Sequence, residues 1–174
     1  MGKKLIIKGA DFSANAIDVG TYTWYTNGLE NAINNGTRNI YSQGSSVTRF
    51  AIDHSFKSGD IVNCVRMGCS TAGTITIARA TFAGTDVGSA VTISDARNVN
   101  ISQVGTDFIV RFTPIVMNDG DYIIIRMNGD TCKFYTYAGL TNAVGYWQVN
   151  GQTNKITIVP SQVYELGFDL GKYE

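Results

Sequence analysis

Aromatic and amide side chains gather in one late stretch of the sequence, CKFYTYAGLTNAVGYWQVNGQTN, which covers residues 132–154. An aromatic ring can pack on the apolar C–H face of a pyranose, while neighbouring amides bond the sugar hydroxyls. The stretch therefore predicts a glycan site with aromatic stacking residues and amide contacts. The residues of this predicted site are Tyr146, Trp147, Asn142, Gln148 and Asn150. The alternative is that these rings fill the core or a subunit interface, where Tyr and Trp are also favoured.

The histidine and the acidic residues form no catalytic constellation. His54 ends an alternating run on the same face as Phe50 and Ile52, where a packed side chain is the ordinary role. Neither a Gly-x-Ser-x-Gly elbow nor a His-Glu-x-x-His motif is present. We therefore predict no catalytic residue and no enzyme. A glycan-cleaving enzyme stays an alternative, because two carboxylates distant in sequence can meet in the fold.

The stretch Asn118-Asp119-Gly120-Asp121 raises the question of a metal site. An EF-hand loop needs further aspartates and a later glutamate, which this stretch lacks. Lectin-like sandwiches bind calcium through irregular loops, so calcium at Asp119 and Asp121 is the alternative to a tight turn. The glycine-rich phosphate loops of nucleotide-binding proteins are absent as well. The sequence therefore predicts no metal and no cofactor.

The cysteines predict free thiols. Cys64 and Cys69 are close in sequence, Cys132 is distant, and the total of three is odd. A disulfide framework is not expected at this chain length and cysteine density. A zinc site is not expected, because all three scattered thiols and the single histidine would have to meet in the fold to supply its four ligands.

The charge balance excludes whole classes of partner. The chain has 14 basic and 14 acidic residues among 174, and no block of like charge. Binding to nucleic acid or to an anionic membrane relies on an excess of positive charge, so neither is expected. No segment approaches the roughly 18 consecutive apolar residues of a membrane span. The opening apolar run Leu5-Ile6-Ile7 is too short for the roughly 7–15 residues of a signal-peptide core.

The elements that must position these residues are short strands. Apolar and polar residues alternate with a period of two in 108–112 and 164–170. Further short runs rich in Val, Ile, Thr, Phe or Tyr cover 47–54, 61–67, 74–82, 90–93, 98–103, 121–127 and 155–159. Many short strands without helical crossovers favour an antiparallel β-sandwich, with a jelly roll as the expected type. We predict an all-β fold with one sandwich domain over residues 1–174.

Two local expectations accompany this fold. The Asn-Gly pairs at 128–129 and 150–151 predict hairpins that join the flanking strands. Residues 20–46 are expected to form a long loop, because the apolar pattern around 27–33 is soon ended by Asn34-Asn35-Gly36.

The opening Lys4-Leu5-Ile6-Ile7-Lys8-Gly9-Ala10-Asp11-Phe12-Ser13-Ala14-Asn15 resembles a leader found on β-rich proteins of gut Bacteroides and of their phages. In those proteins, a Lys/Ile-rich strand followed by Gly-Ala-Asp-Phe-Ser-x-Asn begins a jelly-roll-like module of virion, fibre or surface-associated proteins. The resemblance implies a non-enzymatic structural protein of a phage virion, such as a head-fibre or tail-fibre module, with a site for host surface glycan as a further expectation. It supplies no catalytic residues.

Partners and location follow from the same resemblance. We expect a homo-oligomer with three copies as the favoured number, contacts with other virion proteins, and assembly into the virion in the host cytoplasm. The alternative is a stand-alone bacterial carbohydrate-binding module at the cell surface.

Overall fold

The structure of the protein, a computed structural model, describes residues 20–25, 28–41, 49–52, 56–84, 86, 88–127, 132–140, 146–150, 154–157 and 164–174. Of these, 49–52, 127, 146–150, 154–157 and 164–166 are described by their backbone alone. Residues 1–19, which carry the resemblance, and His54 lie outside the described residues.

Two antiparallel sheets make up the described structure, with one short helix, α1 (Leu29–Asn35). The first sheet contains β1 (Tyr22–Tyr25), β2 (Thr37–Ile40), β4 (Ile61–Thr71), β7 (Gly105–Val116), β9 (Lys133–Ala138), β12 (Tyr164–Leu166) and β13 (Phe168–Tyr173). The second sheet contains β3 (Arg49–Ile52), β5 (Gly73–Phe82), β6 (Val91–Ile101), β8 (Tyr122–Met127), β10 (Tyr146–Asn150) and β11 (Asn154–Thr157).

The strand pairing is nested from the ends of the chain inwards. β1 pairs with β13, β3 with β8, β4 with β7, and β5 with β6. A long antiparallel hairpin that is rolled up and divided between two sheets gives this order, which is that of a jelly roll. The predicted antiparallel, jelly-roll-like sandwich is therefore confirmed.

The main core lies between the two sheets and follows from the period of two in the strands. Ile75, Ile77 and Ile125 of the second sheet are fully buried on this inner side. They belong to the same cluster as Phe134 and Phe168 of the first sheet, whose ring centroids are 4.6 Å apart. Burying a side chain of this size stabilises a fold by about 1.5–3 kcal/mol, so this core accounts for the alternation in the sequence.

The expectation of a long loop over 20–46 is wrong for the part that the structure describes. β1, α1 and β2 lie there. A helix as short as α1 is not stable alone, and it forms because Leu29 and Ala32 are buried against Tyr137 and Leu140. Tertiary packing thus determines the structure of a segment whose local sequence favours a loop.

One of the two predicted hairpins is confirmed and the other is wrong. β10 and β11 pair antiparallel, with Asn150 opposite Asn154, as the Asn-Gly pair at 150–151 predicts. β8 and β9, which flank 128–129, belong to different sheets. The second connection therefore passes from one sheet to the other, and residues 128–131 themselves lie outside the described residues.

Candidate functional site

Four of the five predicted glycan residues fall on one strand of the second sheet. Tyr146, Trp147, Gln148 and Asn150 belong to β10, which pairs with β3 on one side and β11 on the other. Asn142 lies outside the described residues, as do the side chains of β10. The glycan site at these positions therefore stays a prediction.

The early aromatic residues form a packed cluster on the outer face of the first sheet. Trp24 lies directly opposite Gly171, and a Cβ atom at Gly171 would be 2.7 Å from the Trp24 ring. Tyr22 stacks on Trp24 with ring centroids 5.2 Å apart, and the Arg111 guanidinium lies 3.3 Å from the ring centre of Tyr173. Burial raises the pKa of Tyr22 to about 12. These rings cover the sheet and each other, so their contacts are those of a structural cluster.

The late tyrosines Tyr135 and Tyr137 are packed as well. Phe134 lies in the main core, and both tyrosines belong to a cluster on the other face of β9 together with residues of α1. Only 2% of Tyr137 is exposed. For Tyr137 the packing alternative to a glycan role is therefore the one that the structure supports.

A bulge in β6 opens a concave site on the outer face of the second sheet. The pairing with β5 slips between Ile77 and Arg79, where β6 uses one residue more than β5. The extra length falls at Asp95-Ala96, opposite Ala78. Among the described residues, Asp95 is the non-glycine residue with a positive φ, 51°. Bulges of this kind redirect side chains and are common beside functional sites.

Ion pairs hold the bulge in place. The Arg79 guanidinium lies 2.8 Å from the Asp95 carboxylate and 3.3 Å from that of Asp121. Its Nε also donates a hydrogen bond of 3.3 Å to the Ser94 hydroxyl. Asp121 is only 2% exposed and belongs to the turn before β8. The contact with Arg79 therefore ties the bulge to a fixed part of the fold.

The concave site, called the slot below, has a volume of about 230 Å³. It is lined by Thr76, Ala78, Ile93, Ala96, Asn98, Ile124 and Arg126. Its middle is apolar, because Ala78 of β5 lies opposite Ile124 of β8 and each is only 1% exposed. The small side chain of Ala78 beside the bulge leaves the space that a larger residue would fill.

One end of the slot is polar. Thr76 lies in the register between Arg126 of β8 and Asn98 of β6. The Thr76 hydroxyl and the Asn98 amide oxygen are 3.0 Å apart and hydrogen-bonded. A hydroxyl, an amide and a guanidinium therefore lie in one row across three strands.

The slot combines the features of a small ligand site, an apolar surface with a few polar groups at one end. At about 230 Å³ it is smaller than the ~300–1,000 Å³ of typical ligand pockets, so it matches one ring-sized group. Carboxylates and thiols are absent from its described lining, and the arrangement is suited to binding.

The aspartates of the suggested calcium turn bond to the protein itself. Asp119 accepts a hydrogen bond of 2.8 Å from the Ser58 N–H, and Asp121 accepts one of 2.8 Å from the Asn118 N–H. Within the described ranges, no group of three or more metal-ligating side chains occurs. The tight-turn interpretation accounts for both residues.

The cysteines are buried free thiols, as predicted. Burial raises the pKa of Cys64 to about 12 and that of Cys132 to about 12. Since the thiolate is the reactive form, these thiols are unreactive in the folded protein.

Comparison with known proteins adds no relatives, since no protein-family model, no curated protein and no solved structure matches the chain. In the part of the chain that the structure describes, α1 is far too short to cross a membrane.

The slot was missed by reasoning from sequence. The available signal was weak: Ala78 and Ala80 alternate in β5 where larger residues are usual, and the strand pattern breaks at 94–97. Only the register between β5 and β6 shows that the two features meet.

Proposed function

We propose that this chain is a non-enzymatic jelly-roll module of a phage virion, in a head or tail fibre, and that it binds host surface glycan through the slot. The observation that carries the glycan part is the slot itself, an apolar floor with a polar row at one end. The nested strand pairing supports the virion part, because capsid and lectin domains use this architecture.

The slot chemistry suits one sugar ring. The C–H face of the sugar packs on Ile93 and Ala96, the apolar lining residues that are not buried, above the floor formed by Ala78 and Ile124. The sugar hydroxyls bond to Thr76, Asn98 and Arg126. Each such hydrogen bond replaces one to water and contributes only ~0.5–1.5 kcal/mol, so a single site binds weakly. Several copies in one virion raise the overall strength by avidity.

Two carboxylates of the first sheet, Asp107 and Asp169, support a role without catalysis, because they hold structural bonds. Asp107 binds the Arg66 guanidinium through both oxygens, each at 2.7 Å. Asp169 is 3% exposed and accepts a hydrogen bond from the Leu29 N–H at the start of α1. Acids that carry out glycoside hydrolysis instead face a shared substrate.

Glycan binding by the slot is tested with a variant whose larger side chain fills it. Ala78→Leu places a larger side chain on its floor, and we expect loss of signal on an array of host-bacterium surface polysaccharides. Ala83→Leu makes the same change at an exposed position outside the slot and should bind as the wild type does. Asn98→Ala should weaken binding about two- to tenfold, the equivalent of one hydrogen bond.

Unchanged glycan binding by a folded Ala78→Leu variant would move the site away from the slot, to the predicted residues of β10. The virion part is tested separately by mass spectrometry of purified phage particles. A chain that is absent from particles but present on the bacterial surface would support the stand-alone carbohydrate-binding module.

A further inference from the structure

β7 is a long edge strand of the first sheet. It runs over Gly105–Val116 and pairs with β4 along one side, and no described strand pairs with its other side. Its register with β4 is unbroken from Phe108 to Arg111. A regular edge of this kind can pair with another strand through its outward backbone N–H and C=O groups, and proteins that stay monomeric usually protect such edges.

The sequence of this edge is complementary to itself. Asp107, Ile109 and Arg111 alternate along the outer face, with Phe108 and Val110 on the core side. When two copies of this segment run antiparallel about Ile109, residue 107 of each lies opposite residue 111 of the other. An acidic residue then meets a basic residue twice, and Ile109 meets its own copy.

We infer that a second copy of this chain pairs with β7 antiparallel about a twofold axis at Ile109, which joins the first sheets of two copies into one continuous sheet. The contacts are Asp107 with Arg111 of the second copy, the same pair in reverse, and the two Ile109 side chains. A twofold contact of this type uses the same patch on both copies and closes after two.

Exposure on the strand fits this contact. Ile109 is a large apolar side chain that is 39% exposed in the single chain. Val110 and Phe112 pack against the main core but are only partly buried at its edge. A second β7 would cover Ile109 on the outer face of the sheet and Val110 and Phe112 on the inner face. Apolar surface would therefore be buried on both faces of the sheet.

The two charged residues differ in what they must give up to pair with the second copy. Each Asp107 oxygen accepts one hydrogen bond from Arg66, and a carboxylate has about four acceptor sites. Arg111 donates to the Tyr22 hydroxyl at 3.1 Å, and its guanidinium lies 3.3 Å from the ring centre of Tyr173. Both rings lie across β4 from β7, so pairing with the second copy requires the Arg111 side chain to exchange these contacts for Asp107 of that copy.

The neighbouring edge of the second sheet is less suited to pairing. β6 is interrupted by the bulge at Asp95-Ala96. Its Arg97 donates to the carbonyl of Pro114 in β7, at 3.2 Å, and so connects the two edges within one chain. A bulge and an inward-pointing charge are the usual protections of an edge, and in the described structure β6 has both.

The test begins with the mass of the particle in solution, measured by light scattering at micromolar concentration. We expect twice the chain mass for the wild type. Ile109→Lys brings two lysines together at the axis and should give the single-chain mass. Val116→Lys is the matched control, since Val116 is a 56% exposed apolar residue of the same strand outside the paired segment.

Charge complementation tests the register. Arg111→Glu alone sets Glu against Asp107 of the second copy, and Asp107→Lys alone sets Lys against Arg111, so each variant should be monomeric. In a mixture of the two, every pair across the axis is again of opposite charge, and the dimer mass should return. Melting curves of each variant verify that it is folded.

A wild-type monomer, or a trimer whose mass Ile109→Lys leaves unchanged, would overturn the inference. So would a mixture of the two charge variants that stays monomeric. The paired segment contains no slot residue, so glycan binding by the monomeric Ile109→Lys variant can be measured independently.

Discussion

Asp121→Ala removes the most deeply buried ionic contact described in the structure. Asp121 is only 2% exposed, and its Oδ2 accepts a hydrogen bond of 2.8 Å from the Asn118 N–H. The same oxygen lies 3.3 Å from the Arg79 guanidinium, which also lies 2.8 Å from Asp95. One carboxylate thus fixes the turn before β8 and one side of the slot bulge.

The cost follows from what each partner loses. A hydrogen bond to a charged group contributes about 1.5–3 kcal/mol. Breaking a buried ion pair costs about 3–5 kcal/mol, but Arg79 keeps Asp95, so only part of that cost applies. We expect about 3 kcal/mol in total, which lowers Tm by about 6–12 °C at ~2–4 °C per kcal/mol for a chain of this size.

Asp95→Asn is the matched control, because it removes the other acid from the same Arg79. The Asp95 side chain is 45% exposed, and exposed pairs contribute about 1 kcal/mol or less. Asparagine also tolerates the φ of 51° at this position. Tm should therefore fall by no more than about 2–4 °C. The double variant should lose more than the sum, because Arg79 then keeps neither acid.

Differential scanning calorimetry distinguishes the outcomes. Equal losses from the two single variants would show that burial does not decide the strength of these pairs. The calcium alternative is tested in the same experiment, since a ligand that binds the folded state raises Tm. A rise of the wild-type Tm on addition of calcium, reversed by a chelator and absent in Asp121→Ala, would show that the carboxylate holds a metal ion.

The remaining predictions concern buried side chains. Cys64, Cys69 and Cys132 should resist alkylation in the native protein, and all three should react after denaturation; fewer than three labelled sites would reveal a disulfide. Burial raises the pKa of the Cys64 thiol from its ordinary 9.0 to about 12, so the thiol keeps its proton longer in the folded state than in the unfolded state as pH rises. Its contribution to the free energy of unfolding is therefore complete below pH 9 and is lost between about 9 and 12, which denaturation at several pH values against Cys64→Ala should show. Gly171→Ala should cost about 1–3 kcal/mol by crowding the ring of Trp24, and a smaller cost in a Trp24→Ala background would confirm that contact; equal costs in both backgrounds would contradict it.

The alternation of apolar and polar residues was sufficient to predict the sandwich, because it is set by the inner faces of the strands. Two residues apart on the inner face lie Ile75 and Ile77 of β5, and likewise Ile123 and Ile125 of β8. Sheet membership was harder to predict, because it depends on contacts between distant segments. The Asn-Gly pair at 128–129 has the local signature of a hairpin, yet the flanking strands β8 and β9 enter different sheets.

The helix α1 within 20–46 has a weak signal in the sequence. α1 has Asn, Glu and Ala at most positions, and its apolar residues are too few for a clear helical period. Its stability comes from burial of Leu29 and Ala32 on the outer face of the first sheet, where Tyr137 and Leu140 already lie. A partner face that is made by residues a hundred positions later cannot be inferred from the segment alone.

The slot shows the same limit within one strand. The sequence predicts separate strands over 90–93 and 98–103 with a break between them, and the structure joins most of both in the single strand β6. The break is a bulge, since residues on both sides of it pair with β5. Asp95 can keep its positive φ there because Arg79, held by the buried Asp121, lies 2.8 Å from its carboxylate. The concave site thus depends on an arginine in one strand, an aspartate in a distant turn and an alanine where a larger residue would close the space. None of these residues stands out in the sequence, and the register of β5 with its neighbouring strands brings them together into a site.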